Sequence, residues 1–102
     1  MASYFSNVSE EEIKQFYALI SKNVKRLRLK NNQSLMDLSL DLGFRSGSFV
    51  GSAEACRNNK HFSIEHLYKM SKLFNVPIEE FCKDWKKLGY TLNNFKLIVF
   101  NC

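Results

Sequence analysis

The chain has 102 residues, of which 45% are hydrophobic and 14% aromatic, and it carries a formal net charge of +5. This length predicts a single domain, and this share of apolar residues argues against a disordered chain. No apolar run approaches the roughly 20 residues that a membrane-spanning helix needs, and the N-terminus lacks the basic and apolar regions of a signal peptide. We therefore expect a cytoplasmic protein without membrane contacts.

The first predicted element is a long helix that begins at a capping box, Ser9–Glu12. The serine accepts a backbone hydrogen bond in such a box, and the three acids that follow it favour the positive end of the helix dipole. Apolar residues then recur at helical spacing for four turns, until Asn31 and Asn32 end the helix. Residues 21–30 contain five cations and no acid, so positive charge lies beside the next elements.

A second helix is predicted to begin at the cap Ser34 and to end at Gly43, because glycine readily takes the left-handed conformation that turns the chain. The inward stripe of this helix is formed by Leu35, Leu38 and Leu42. Met36 and Leu40 form a second apolar row that would be exposed in a minimal domain, and we expect another surface to cover it.

The third helix should begin near Ser46 and run to about Ala55. Its sequence is a poor helix former, since two glycines alone cost about 2 kcal/mol relative to alanine. Tertiary packing through Phe49 and its apolar neighbours must therefore hold this helix in place. The loop that follows, residues 57–61, is polar and basic.

Ser63 caps a fourth predicted helix, which Asn75–Pro77 breaks. Proline suits the first turn of a fifth helix, which ends near residues 88–89. The β-branched and aromatic run Phe95–Phe100 is more typical of a strand. Left open it would promote aggregation, so we expect it either to pair with its copy in a second subunit or to cover the apolar row of the second helix.

The order of these elements predicts an all-α fold. We expect five helices in a repressor-like helix-turn-helix arrangement in residues 1–89, and a short C-terminal extension in residues 90–102 that is a candidate strand and dimerisation element. In a helix-turn-helix, one helix braces against the DNA backbone while the next enters the major groove. Dimers with two-fold symmetry then match palindromic sites one helical turn apart.

The sequence argues against an enzyme. The cysteines, Cys56, Cys82 and Cys102, are odd in number and far apart, and neither histidine completes a zinc-ligand spacing with them, so we expect free thiols, no metal and no cofactor. No catalytic triad, phosphate-binding loop or paired-carboxylate motif is present. Cys56 with His61 would make a thiol–imidazole pair, but a basic loop accounts for both residues.

Part of the chain, residues 20–81, resembles the Cro/C1-type (XRE) helix-turn-helix family. The best-matched segments are Val24–Arg28, Leu38–Gly43 and Ser63–Val76. The family includes phage repressors, restriction-modification controller proteins and antitoxins, so the resemblance implies DNA binding. It also implies that Glu54 is structural and holds the domain together through a basic partner. This chain departs from the family at Leu35, where members usually carry a glutamine that grips the DNA backbone.

We predict that the DNA interface lies around the third helix. Arg45, at its entrance, has the geometry for a bidentate guanine or phosphate contact, and nearby serines have hydroxyls for bases or phosphates. The resemblance implies that residues 57–61 run along a phosphate backbone, and cations of the first helix add charge. The predicted interface residues are Arg26, Arg28, Ser34, Arg45, Ser46, Ser48, Ser52, Arg57, Lys60 and His61.

We therefore expect a sequence-specific regulator of transcription, a repressor or autoregulator, that binds a palindromic operator in double-stranded DNA as a homodimer. The alternative is a protein-interaction module, either antitoxin-like or an adaptor, that uses the same fold without strong DNA readout. Leu35, the small residues of the third helix and the apolar row of Met36 and Leu40 favour this alternative. The two functions differ in their response to salt, which weakens phosphate contacts far more than apolar ones.

Overall fold

The computed structural model of the protein describes residues 7–88. Within this range the chain is mostly helical and contains no strand, which confirms the all-α prediction. The run Phe95–Phe100, predicted as a strand or dimerisation element, lies outside the described residues. No helix within residues 7–88 is long and apolar enough to cross a membrane. The α-helices are α1 (Glu10–Lys30), α2 (Leu35–Asp41), α3 (Ser48–Glu54) and α4 (Ile64–Phe74), and the 3₁₀ helices are Arg57–Asn59 and Ile78–Cys82.

Serine side chains begin three of these α-helices, as predicted. The Oγ of Ser9 accepts a backbone N–H of the first turn of α1 at 3.0 Å. Ser34 and Asp37 form a complete capping box on α2, in which each side chain accepts the backbone N–H of the other. Ser63 and His66 form the same box on α4, with an imidazole in place of a carboxylate. Each cap stabilises its helix by about 1 kcal/mol.

Residues in the left-handed conformation terminate α1, α2 and α4. These residues are Asn32, Gly43 and Asn75, with φ of 56°, 95° and 55°. After α2, the N–H of Gly43 donates to the carbonyl of Leu40 (3.0 Å) and the N–H of Phe44 donates to that of Ser39 (2.9 Å). These two bonds satisfy carbonyls that a helix end leaves unpaired, and they turn the chain toward α3. The predicted end of the helix at Gly43 is in agreement with this geometry.

The hydrophobic core receives fully buried side chains from all four α-helices and from the second 3₁₀ helix. These side chains are Val24, Leu38, Val50, Ala53, Met70 and Phe81. Burial of a valine, leucine or phenylalanine side chain stabilises the fold by about 1.5–3 kcal/mol. In α3 this gain exceeds the cost of about 1 kcal/mol for Gly51, while Gly47 is the N-cap, where glycine is tolerated. Packing therefore holds α3, as expected.

A buried ion pair between Arg28 and Glu54 joins α1 to α3. The Nε of Arg28 lies 2.7 Å from Oε2 of Glu54, and Nη2 lies 3.1 Å from Oε1. The remaining Nη1 donates to the backbone carbonyl of Gln33 at 2.8 Å. The two side chains are only 8% and 7% exposed. The basic partner expected for Glu54 is thus Arg28, and the interaction is structural.

The prediction of a fifth α-helix between Pro77 and residue 89 is wrong. The chain forms the 3₁₀ helix Ile78–Cys82, and residues 83–86 are turns. The cause lies in α1, because the side-chain amide of Asn23 donates to the carbonyls of Phe81 (3.0 Å) and Lys83 (3.2 Å). These are carbonyls that the backbone of a longer α-helix would use as acceptors. The Asn23 side chain has therefore taken the place of the backbone hydrogen bonds of a longer α-helix.

The two described cysteines differ from each other. Cys82 is a free thiol, and burial, together with the nearby Glu79, raises its pKa. It is therefore protonated and a weak nucleophile at neutral pH. Cys56 is disulfide-bonded, so the expectation of a free thiol is wrong for this residue.

The buried ion pair predicts the outcome of a pair of substitutions. Glu54→Ala should destabilise the protein by about 3–5 kcal/mol, because it leaves the Arg28 guanidinium buried without its counter-ion. The double variant Arg28→Met/Glu54→Leu should recover most of this loss, since it removes both charges. Urea unfolding followed by far-ultraviolet circular dichroism measures both effects.

The matched control is Glu80→Ala, which breaks the more exposed pair between Arg26 and Glu80. That change should cost about 0–1 kcal/mol. Equal losses for Glu54→Ala and Glu80→Ala would contradict the structural role of the buried pair.

Candidate nucleic-acid interface

The outward face of α3 is made of serines. The buried residues of this helix are Val50, Ala53 and Glu54. At about 100° per residue, Ser48 and Ser52 lie on the opposite side of the helix. Ser48 is exposed and Ser52 is half-buried. Gly51 and Phe49 lie at the two edges between the buried and the outward side, and we call these edges the glycine flank and the aromatic flank.

The glycine flank brings α2 and a cation together. A Cβ placed on Gly51 would lie 3.8 Å from Cδ1 of Leu35 and 3.9 Å from Nη2 of Arg57. One turn earlier, a Cβ on Gly47 would lie 3.9 Å from the backbone and Cβ of Leu35. The start of α2 therefore lies alongside α3 at the level of these two glycines, at a spacing that leaves room for a Cβ at either position, and the Arg57 guanidinium lies beside the contact.

The aromatic flank carries a ring cluster and a second cation. Phe49 stacks on Phe44, with ring centroids 4.8 Å apart, and meets the buried Phe62 edge-on at 6.1 Å. The Nζ of Lys60 lies over the Phe49 ring, 6.0 Å from its centroid. Phe49 is thus mainly a packing residue, and Lys60 is held at this edge of α3 by a cation–π contact.

Three cations lie around α3 in the part of the chain that the structure describes. Arg45, Arg57 and Lys60 are exposed, and within residues 7–88 none of them forms an ion pair. The single acid in residues 42–62 is Glu54, whose carboxylate is buried in its pair with α1. The surface between the end of α2 and the start of α4 is therefore basic.

Three of the predicted interface serines lie at helix starts. The Oγ of Ser46 hydrogen-bonds the hydroxyl of Ser48 at 3.2 Å and accepts its backbone N–H at 3.3 Å. Ser34 uses its hydroxyl oxygen as an acceptor in the α2 capping box, and the same box lowers the pKa of Asp37 through hydrogen bonds from Ser34. The hydroxyl hydrogen of Ser34 stays free to donate to solvent or to a ligand.

Two arginines predicted at the interface point elsewhere. The prediction that Arg28 contacts DNA is wrong, because all of its guanidinium nitrogens form hydrogen bonds within the protein and its burial keeps it from a phosphate. Arg26 lies about 200° around α1 from Arg28, so it faces away from α3. Its Nη2 pairs with Oε2 of Glu80 at 3.0 Å.

His61 is exposed and stacks on Tyr17 of α1, with ring centroids 3.8 Å apart.

The sequence interpretation misplaced Leu35. Predicted in the inward stripe of α2, it is 38% exposed, whereas Leu38 and Leu42 are buried. Its position directly after the cap Ser34 was the available signal, because the first residue of a helix lies at the end of the buried stripe. The neighbouring Met36 and Leu40 are 47% and 57% exposed.

His66 links the cap of α4 to the aromatic flank. Its Nδ1 accepts the backbone N–H of Ser63 at 3.0 Å, which requires a neutral ring. The imidazole lies 5.1–6.2 Å from three phenylalanine rings, and burial lowers the pKa of His66. Glu65 opposes the shift and Lys69 adds to it, while the hydrogen bond from Lys69 lowers the pKa of Glu65 itself.

Comparisons with known protein families, with characterised proteins and with solved structures gave no match to this chain. Within the described residues no group of three or more histidine, cysteine or acidic side chains is arranged to hold a metal ion. The function must therefore be argued from the geometry of α3 and its two flanks.

Gly51 offers a test of the packing at the glycine flank. Gly51→Ala should stabilise the protein by about 0.5–1 kcal/mol, because alanine favours the helix and the new Cβ meets its neighbours at ordinary contact distance. Gly43→Ala is the control and should destabilise it, since φ is 95° there. Urea unfolding measures both. A destabilising Gly51→Ala would contradict the spacing of α2 and α3.

The cap of α4 predicts a pH dependence. Because the folded-state pKa of His66 is lowered, its contribution to stability is complete above the unfolded-state pKa of about 6.5 and is lost as the pH falls through the folded-state value. Stability should therefore decrease between pH 7 and pH 5. His66→Gln keeps an acceptor for Ser63 and should flatten this dependence. Urea midpoints at both pH values measure it, and equal slopes in the two proteins would contradict the prediction.

Proposed function

We propose that the protein binds double-stranded DNA by placing α3 in the major groove. The observation that supports this most strongly is the position of the cations on both flanks of the helix: Arg57 on the glycine flank and Lys60 on the aromatic flank. A major groove is about 12 Å wide, admits an α-helix and has a phosphate backbone on either side. A helix with a cation on each side matches that arrangement.

The outward face of α3 suits close approach to base edges. Ser48 and Ser52 are short, so the helix backbone can lie deep in a groove, and their hydroxyls donate or accept at either kind of base pair. Arg45 lies in the turn before α3, is exposed and has a planar guanidinium for a bidentate guanine or phosphate contact. In this proposal phosphate contacts dominate the affinity, and direct hydrogen-bond readout is limited to few side chains.

The resemblance to Cro/C1-type helix-turn-helix proteins extends this proposal to a regulator of transcription. One α3 reads only a few base pairs, so a homodimer that places two copies about 34 Å apart would bind a palindromic operator. Repression or autoregulation follows when such an operator overlaps a promoter. In this proposal the protein acts in the cytoplasm and needs no cofactor.

The protein-interaction alternative rests on one specific observation. Met36 and Leu40 on α2 are about half exposed and lie four residues apart, so they form an adjacent apolar pair on one face of a short helix. A protein partner that covered them would bind through apolar contacts, and its affinity would change little with salt. Both functions are compatible with the same fold, so the salt dependence separates them.

The proposal predicts how salt affects binding. The DNA site is first selected from a random duplex pool, and its affinity is then measured by fluorescence anisotropy from 50 to 200 mM salt. Arg45→Ala, Arg57→Ala and Lys60→Ala should each reduce the slope of log affinity against log salt by about 0.9 for every phosphate that the variant no longer neutralises.

The matched control is Lys69→Ala, which removes the same charge from α4, where Lys69 pairs with Glu65. Its slope should equal that of the unmodified protein. If no sequence is enriched, or if Lys69→Ala acts as strongly as the three variants, the assignment of α3 and its flanks as the DNA interface is wrong.

A further inference from the structure

We infer that Leu35 reads the C5-methyl groups of thymines in the major groove, so that the protein discriminates A·T from other base pairs by an apolar contact made from α2. This inference rests on the proposed function and deepens it, because it names a base feature that α2 recognises beside α3. Thymine is distinguished in the major groove by this methyl group, which an apolar side chain contacts favourably.

The position of Leu35 places an apolar group on the surface that α3 presents. It is the first residue of α2, and its Cδ1 lies 3.8 Å from the Cβ position of Gly51 on α3. Its side chain therefore reaches across to the edge of the helix that is proposed to lie in the groove. Leu35 is 38% exposed, so part of its side chain stays accessible to a ligand while the rest contacts α3.

The outward side chains of α3 do not themselves recognise a thymine methyl group. Its outward residues, Ser48 and Ser52, each carry one hydroxyl and cannot make the bidentate contacts by which longer polar side chains distinguish bases. The glycine flank exposes no side chain of its own. Beside Arg57, Leu35 therefore supplies the apolar side chain along that edge of α3.

Charge complementarity favours DNA as the occupant of this apolar edge. The Nη2 of Arg57 lies 3.9 Å from the same Cβ position that Leu35 approaches, so a cation borders the apolar contact directly. A phosphate held by this guanidinium would bring the adjacent groove floor against the leucine. An apolar protein surface would instead leave the arginine without a counter-charge.

The test removes one methyl group at a time. In the selected site, each thymine is replaced by deoxyuridine, which lacks the C5-methyl but keeps the base pairing and the charge. At one or two thymines per half-site, the substitution should weaken binding by about fourfold, the value of one methyl group transferred from water. Leu35→Ala should bind the thymine and deoxyuridine sites equally.

Leu40→Ala is the matched control, since it makes the same substitution at an exposed leucine of α2. It should keep the full preference for thymine. Because each variant is compared on two DNAs, a general loss of folding would lower both affinities and leave their ratio unchanged. Leu35→Met, which keeps an apolar side chain, should also retain a preference.

The outcomes separate the two levels of the proposal. Tight, salt-dependent binding that no deoxyuridine weakens would overturn the role of Leu35 and leave DNA binding intact. A loss on deoxyuridine that is equal in Leu35→Ala and in the unmodified protein would assign the methyl contact to another residue. Failure to select any site would overturn DNA binding and this inference together.

Discussion

The orientation of α3 depends on the buried pair between Arg28 and Glu54. A helix of seven residues with poor intrinsic propensity does not fix its own position, so its direction is set by what it is tied to. The pair ties its last turn to α1, and the third donor of Arg28 adds the backbone of Gln33 before α2. Desolvation offsets much of the attraction, so the contribution is to geometry more than to net stability. That geometry turns Ser48 and Ser52 away from the core.

The loop after α3 distributes the remaining positive charge. Asn58 and Asn59 both have left-handed backbone, with φ of 55° and 56°, and the N–H of Lys60 donates to the carbonyl of Arg57 at 2.9 Å. Asparagine tolerates this conformation better than most residues. The chain reverses within three residues, and so Arg57 reaches the glycine flank while Lys60 reaches the aromatic flank. A straight continuation of α3 would have carried both cations along the helix axis.

Local chemistry explains which parts of the fold could be predicted. Ser34 and Gly43 act on backbone groups within a few residues, so their sequence neighbourhood was sufficient to place the ends of α2. Arg28 and Asn23 were misjudged or overlooked because their partners lie 26 and 58 residues away. The basic character of the loop around Arg57 was visible in the sequence, but its division between two flanks depends on backbone dihedral angles. Leu35 was misassigned because helical periodicity does not report which end of a stripe reaches the surface.

Rigid support of α3 has a consequence for binding. Phe49 is stacked in the ring cluster near the start of the helix, and Glu54 is held by Arg28 at its end. Both anchors belong to the protein, so the weak helix is ordered before any ligand arrives. In the proposed complex DNA does not have to supply the free energy of ordering α3, which would otherwise reduce the affinity. Small residues on the outward face are then compatible with stable binding, because packing at the two ends, and not the composition of that face, keeps the helix formed.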